Sequence, residues 1–163
     1  MSKFLSWIEH KGKLYYLTKA KLNSRKRKIL REYCGWDDDL TGHGAIRWYY
    51  NLKAWAGINK ECTDFSSPRN FPREIAEAIK RGLFEGMGIP LQILTPEALD
   101  KYEIAIQSAW VEYENARQSA RNKRHLIDYE KARQSALNKF REINQSTFWN
   151  LAKNPENRVD VWK

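Results

Sequence analysis

The sequence has few of the residues on which membrane spans and disulfide frameworks depend. None of the 163 residues belongs to an uninterrupted apolar run of roughly 18, so we expect no transmembrane helix. The first residues carry no apolar signal-peptide core, and we expect a cytoplasmic protein. There are two cysteines, Cys34 and Cys62, which a reducing cytoplasm keeps as thiols, and we interpret both as small buried side chains.

Recognised catalytic motifs are also missing. The sequence contains no Walker loop, no dinucleotide fingerprint and no nucleophile elbow. One alternative is a metal-dependent nuclease in which His43, between two glycines, acts as a general base and aspartates bind Mg²⁺: Asp37, Asp38, Asp39 and Asp64. Such aspartates also cap helices, and Gly-His-Gly also forms turns. We therefore predict that the protein is not an enzyme and uses no cofactor.

Four Cys and His residues could in principle gather around a zinc ion. They are Cys34, Cys62, His10 and His43. Their spacing matches no zinc finger, and the paired C-x-x-C ligands of such sites are absent. We predict no metal site.

Positive charge is abundant and is concentrated in one segment. The formal net charge is +9, and residues 10–31 contain nine Lys or Arg and no acid. The other 20 basic side chains are balanced by the 20 acidic ones. A concentrated excess is typical of a surface that binds a polyanion, here a nucleic acid or a nucleoprotein complex. The alternative is a solvated face that only maintains solubility.

Two groups of basic side chains are therefore candidate contacts for nucleic acid or another partner. The first group belongs to the segment 10–31 and the second follows residue 116: Lys11, Lys13, Arg25, Lys26, Arg27, Lys28, Arg31, then Arg117, Arg121, Lys123 and Arg124. Nearby aromatic residues can stack on bases if exposed. We expect instead that Trp7, Tyr15 and Tyr16 belong to the core.

Residues 1–94 show the pattern of a compact α+β domain. Aromatic and β-branched residues in 4–17 flank Gly12, which predicts a β-hairpin. A short helix is predicted over 24–34. Helical spacing of apolar residues from Ala45 to Ala56 predicts an aromatic-faced helix that ends at Gly57, and Pro72 is expected to open a third helix.

Residues 95–152 contain an eleven-residue repeat. From Tyr102 the chain reads YEIAIQSAWVE, YENARQSARNK, the insert RHLID, YEKARQSALNK and FREINQSTFWN. Eleven residues make three helical turns, so we expect repeat positions one, four and eight to share a buried face. Thr95 and Pro96 predict the start of this helical region, and 153–163 is a short tail.

The five-residue insert leaves two architectures open. It advances a helix by about 140° beyond register, so the two pairs of repeats would face nearly opposite sides of one rod. A helical hairpin would bring the two faces together, whereas a rod of ~50 residues would span about 75 Å. We favour the hairpin, although no Gly or Pro lies near 122–128. The repeats could serve simple packing or a homodimer interface.

The repeat units YENARQSARNK and YEKARQSALNK resemble tandem EYEKARAPALA repeats of bacteriophage accessory proteins. The stretches GHGAIRWYY (42–50) and ECTDFSSPRNFPREIAEAIK (61–80) also look like phage accessory proteins. This chain has QS where those repeats have AP, and the missing prolines favour a regular helix. The resemblance implies a small, phage-borne, non-structural protein that acts in the host cytoplasm.

Such proteins often modulate host machinery, including defence nucleases. The resemblance and the charge together predict a non-enzymatic inhibitor of host nucleic-acid-handling or defence machinery, similar in role to anti-CRISPR or anti-restriction proteins. It would act by occupying a surface, and its partner could be a host protein. The alternatives are direct DNA or RNA binding through residues 10–31, or the nuclease described above.

Overall fold

A computed structural model of the chain describes residues 5–22, 24–34, 42–84, 88–121 and 126–163. The chain divides into two compact units, residues 1–92 with Trp162 and residues 93–161 with Lys163. A small antiparallel sheet lies in the first unit and long helices form the second, which confirms the predicted mainly helical α+β fold. Within the described ranges, none of the helices has the length and apolar content that crossing a bilayer requires.

The sheet of the first unit contains three short strands: β1 (Leu5–His10), β2 (Lys13–Tyr15) and β3 (Ile58–Cys62). The strand order is β2-β1-β3, and both pairings are antiparallel. The predicted hairpin is confirmed, because β1 and β2 are joined by Lys11 and Gly12 at φ 49° and 72°. Two consecutive positive φ angles match the twist of a two-residue hairpin turn. The sequence reading placed no strand at β3.

Three helices complete the first unit: α1 (Ser24–Cys34), α2 (His43–Tyr50) and α3 (Arg73–Lys80). The bounds of α1 agree with the predicted helix over 24–34. The third helix begins at Arg73, directly after the Pro72 that was expected to open it, and Gly82 follows its end at φ 68°. The second helix ends at Tyr50 and is shorter than predicted.

One face of the sheet packs against α1 and α2. The fully or nearly fully buried residues of this cluster come from β1, the segment after β2 and both helices: Ile8, Leu17, Leu30, Ala45 and Ile46. Apolar contact of this kind anchors a short helix that would be marginal alone. Leu30 therefore fixes α1 to the unit and leaves the opposite side of the helix in solvent.

A second cluster of aromatic rings belongs to the same unit. Phe71 lies at its centre, with its ring centroid 4.8 Å from Phe65, 6.3 Å from Trp7 and 6.0 Å from Trp162. The Trp162 indole N–H donates to the Phe65 carbonyl at 2.7 Å. Trp7 and Tyr16 are buried, in agreement with their expected place in the core.

The second unit is a helical hairpin of α4 (Pro96–Arg121) and α5 (Leu126–Lys153). Contacts between the helices pair early residues of one with late residues of the other: Tyr102 with Phe148, Trp110 and Tyr113 with Phe140, and Glu112 with Lys139. This order shows that the helices are antiparallel. Of the two predicted architectures, the repeat region therefore forms the hairpin and not the single rod. At the start of α4, the Thr95 hydroxyl accepts from the Ala98 N–H at 3.2 Å, as a capping residue does.

The buried face of α4 differs from the predicted one at a single repeat position. Positions one and eight are buried or half-buried, but position four is exposed at Ala105 and Ala116. Position five takes its place, with Ile106 and Arg117 half-buried. At about 100° per residue, positions one, five and eight lie within roughly 60° of one another, and position four lies outside that arc. The buried side of α4 is therefore formed by positions one, five and eight, whereas position four is half-buried in α5.

Candidate nucleic-acid interface

Four consecutive basic residues of α1, whose side chains follow one another around the helix about 100° apart, make up what we call the basic face: Arg25, Lys26, Arg27 and Lys28. All four side chains are exposed, and the next residue, Ile29, is exposed as well. The first turn of α1 contains no acidic residue. Of the described apolar side chains of α1, Leu30 is buried and Ile29 is exposed.

Two lysines, one of the basic face and one that precedes α1, lie against tyrosine rings. The Lys26 ammonium lies 4.3 Å from the centroid of the Tyr49 ring on α2. The Lys21 ammonium lies 4.5 Å from the Tyr16 ring and donates to the Tyr50 hydroxyl at 2.6 Å. A cation over an aromatic face is stabilised by the ring quadrupole. Lys21 therefore has a structural role, and Lys26 is positioned beside α2 with its side chain still exposed.

The hairpin turn presents two further cations. Lys11 and Lys13 flank Gly12 and are both exposed. The turn is tight, so the two side chains project from a short and well-defined loop. Both residues belong to the predicted set.

The segment that follows α2 carries the most exposed large apolar side chain among the described residues. Asn51 takes the left-handed conformation at φ 53° and ends α2, whereas the prediction continued the helix to Gly57. The Leu52 N–H donates back to the Arg47 carbonyl at 2.9 Å, which closes the helix end. Trp55 was expected on the buried face of that longer helix, but it lies in a turn and is 80% exposed.

Arg47 fixes this turn. Its guanidinium donates to the carbonyls of Lys53 at 2.9 Å and Ala56 at 2.6 Å, and to the Asn59 side-chain oxygen at 2.7 Å. Hydrogen bonds from a charged donor to several acceptors are among the stronger ones in proteins. The turn that presents Trp55 is therefore held in one shape by a side chain of α2.

The second predicted group is only partly described. Arg117 is half-buried and forms an ion pair with Glu114 at 2.8 Å, so its charge is compensated. Arg121 is exposed at the end of α4. Lys123, Arg124 and the side chain of Arg31 lie outside the described residues. The described members of this group do not form a surface comparable to the basic face.

The residues considered for catalysis have local structural roles where they are described. His43 opens α2, and its Nε2 lies 2.9 Å from the Lys60 carbonyl of β3. The Asp64 carboxylate accepts from the Ser66 N–H at 2.9 Å. Hydrogen bonds from Ser66 and Asn70 hold the pKa of Asp64 below its usual value. Asp37, Asp38 and Asp39 lie outside the described residues.

The described residues do not gather into a metal-binding cluster. Among them, no three His, Cys, Asp or Glu side chains come close enough to share an ion. Cys62 is a free, half-buried thiol whose sulfur lies 3.4 Å from the Asp64 carbonyl. Of the other residues considered for zinc, the side chain of Cys34 lies outside the described part.

An open groove of about 620 Å³ lies beside α3, lined in part by Tyr16, Arg73, Glu74, Glu77 and Arg81. The Tyr16 hydroxyl donates to the Glu74 carboxylate at 2.7 Å. Two acids and two arginines balance one another, so the groove has no dominant charge. It indicates no particular ligand.

No known protein family, curated protein or solved structure matches this chain. Function is therefore inferred from the chemistry of the described surfaces. The basic face, the hairpin turn and the Trp55 turn all belong to the first unit.

Proposed function

We propose that this protein is a non-enzymatic nucleic-acid-binding protein of the cytoplasm. The basic face of α1 would contact the phosphate backbone, assisted by Lys11 and Lys13 of the hairpin turn. The observation that carries the proposal is the exposure of four consecutive cations, Arg25 to Lys28, within a segment that has no acid. Clustered cations bind phosphate because they release condensed counterions from nucleic acid.

The position of these cations in the helix favours binding over mere solubility. They follow the first residue of α1, where the partial positive charge of the helix dipole repels them. Each unfavourable placement of this kind costs roughly 0.3–1 kcal/mol. Cations that only maintain solubility could lie anywhere on the surface without this cost. A bound phosphate would interact favourably with the side chains and with the helix N-terminus together.

The proposal is tested with two variants that each lose four positive charges, at different places in the chain. One variant carries Arg25→Ala, Lys26→Ala, Arg27→Ala and Lys28→Ala. Alanine favours helix, so α1 is retained. The control variant removes four exposed lysines of the second unit: Lys101→Ala, Lys131→Ala, Lys139→Ala and Lys153→Ala.

Both variants have the same net charge, so a difference between them reports on location. Binding to short labelled DNA and RNA is measured by fluorescence anisotropy at low salt. We expect the basic-face variant to lose roughly 10-fold or more in affinity and the control to lose clearly less. Equal losses would show that overall charge, and not the basic face, is responsible. No binding by the unmodified protein would refute the proposal.

A second candidate is an inhibitor of host defence or nucleic-acid-handling machinery, in keeping with the phage resemblance. The exposed Trp55 favours this candidate, since Trp is enriched among the residues that dominate protein interfaces. The inhibitor would dock on a host protein through the exposed Trp55 and not through the basic face. In this case we expect the unmodified protein to capture a bacterial protein. The basic-face variant should capture the same protein, and Trp55→Ala should not.

A further inference from the structure

The Trp55 turn packs directly against the hairpin that carries Lys11 and Lys13. Gly57 closes the turn at φ 72°, and a Cβ built there would lie 2.5 Å from the Glu9 carbonyl and 2.8 Å from the His10 Cβ. Glu9 and His10 are the last residues of β1 before the hairpin turn. Backbone contact this close is possible only for glycine. The exposed indole and the hairpin cations are therefore carried by adjoining segments.

A cation lies close to this indole, and other charged residues lie on the neighbouring strands. The Lys53 ammonium lies 5.8 Å from the centroid of the Trp55 ring. Lys60 on β3 is exposed, as is the acidic Glu61 beside it. The Glu9 carboxylate accepts a hydrogen bond from the Trp7 indole N–H at 3.0 Å, so it already has a partner within β1. Lys53 is therefore the cation closest to the indole in the contacts described, while Lys11 and Lys13 lie on the adjoining hairpin.

The turn is also preorganised. Arg47 binds the carbonyls at both of its ends, as described above, and the Ala56 N–H donates to the Lys53 carbonyl at 2.9 Å. A rigid aromatic side chain binds a flat ligand without losing much conformational entropy. Since 80% of Trp55 is exposed, its ring is open to a planar partner even with Lys53 nearby.

We propose that Trp55 is a stacking platform for an unpaired nucleobase, with Lys53, Lys11 and Lys13 contacting the adjoining phosphates. Rings on which successive bases stack, next to cations that follow the backbone, are the recurring features of single-strand binding. A duplex offers its phosphates but hides its base faces. This inference rests on the proposed function and adds a preference for single-stranded over double-stranded nucleic acid.

Three variants of one residue separate stacking from other kinds of contact. Trp55→Ala removes the ring, Trp55→Leu keeps apolar area without a flat π-face, and Trp55→Tyr keeps a flat ring. All three leave the net charge unchanged. Because Trp55 is exposed, we expect their melting temperatures to match that of the unmodified protein. Affinity is measured by anisotropy with labelled oligothymidylate, oligouridylate and a DNA duplex.

We expect Trp55→Ala and Trp55→Leu to weaken single-strand binding by roughly 5- to 150-fold, the range found for removal of one stacking ring. Trp55→Tyr should stay within about fivefold of the unmodified protein, and duplex affinity should change by less than about twofold in all three. A loss in either the DNA or the RNA strand supports the inference and identifies the polymer.

Several outcomes overturn it. Full affinity in Trp55→Leu or Trp55→Ala would show that no base stacks there, and the proposed function would stand if the basic-face variant is still impaired. Equal losses on single strands and duplex would indicate a general effect on the surface. Failure of the unmodified protein to bind any of the three probes would remove both the inference and the proposed function.

Discussion

Replacing Trp162 with alanine tests whether the end of the chain belongs to the core of the first unit. Trp162 is fully buried, its ring packs on Phe71, and its N–H donates to the Phe65 carbonyl at 2.7 Å. Truncation of a buried Trp or Phe to Ala typically costs about 3–5 kcal/mol. A buried carbonyl that loses its donor costs about 1–3 kcal/mol more, with some overlap between the two.

We therefore expect Trp162→Ala to lower the free energy of unfolding by about 4–6 kcal/mol. Domains of this size have only about 5–15 kcal/mol in total, so the loss is a large fraction of the stability. Trp162→Phe keeps an aromatic ring but not the N–H donor, and should lose about 1–3 kcal/mol. The assay is urea unfolding of the full chain, followed by far-UV circular dichroism.

Two controls test whether the loss of stability comes from the burial of Trp162. They show what substitution of another tryptophan, or of another residue near the C-terminus, does to stability. Lys163→Ala removes an exposed ion pair with Asp160 and should change the free energy of unfolding by less than about 1 kcal/mol. Trp55→Ala removes a tryptophan that is mostly in solvent and should cost less than about 0.5 kcal/mol. A Trp162→Ala curve within about 1 kcal/mol of the unmodified protein would refute this account of the core.

Three other predictions concern the turns, the helical hairpin and the pH dependence. Gly57→Ala should cost at least about 1 kcal/mol more than Gly12→Ala in urea unfolding, since both have positive φ but only Gly57 is pressed against the backbone; equal costs would contradict this. Ala109→Leu should lower the free energy of unfolding by about 1–3 kcal/mol, because it overpacks the contact between the two helices. Ala105→Leu, on the exposed side of α4, should change it little. The reverse order would show that repeat position four is the buried one. Burial, followed by a hydrogen bond to a carboxylate, raises the pKa of Tyr16 above its ordinary value of 10.0, so the stability that its neutral phenol provides should be complete below about pH 10 and decline as the pH rises further. The gap in unfolding free energy between the unmodified protein and Tyr16→Phe should shrink over that range, and a constant gap would show that Tyr16 does not titrate differently in the two states.

Local sequence signals predicted the elements whose ends depend on nearby residues. Gly12 between two aromatic runs predicted the hairpin, and the structure adds that Lys11 also takes positive φ. The spacing around Leu30 predicted α1 with its observed bounds. Thr95 and Pro96 predicted the start of α4, which is capped by the Thr95 hydroxyl.

Elements that depend on contacts between distant residues could not be read from the sequence. The strand β3 has the sequence INKEC, which lacks an alternating apolar pattern, and it forms because each residue pairs with β1. The helix α2 ends at Tyr50, although apolar spacing continues to Ala56. Asn51 ends the helix in the left-handed conformation, which Asn adopts less often than Gly, and Arg47 binds the next turn.

The residues of the candidate site were predicted only in part, because the exposure of some of them depends on where a helix ends. Net charge along the chain identified Arg25 to Lys28, and the structure places all four in solvent. Trp55 was missed because an aromatic residue at helical spacing is usually buried. Its exposure follows from the early end of α2. Gly57 was interpreted as the stop of a longer helix, and Asn51, a residue type that can end a helix, was not interpreted as a stop.

The salt dependence of binding to a DNA duplex tests the central claim most directly. For duplex DNA, the slope of log affinity against log salt is about −0.9 for each phosphate contact. If the basic face makes such contacts, the slope of the Arg25, Lys26, Arg27 and Lys28 to alanine variant should be shallower than that of the unmodified protein by about two to four. The control with four lysines removed from the second unit should keep the original slope. Identical slopes for the unmodified protein and the basic-face variant would contradict phosphate binding by α1.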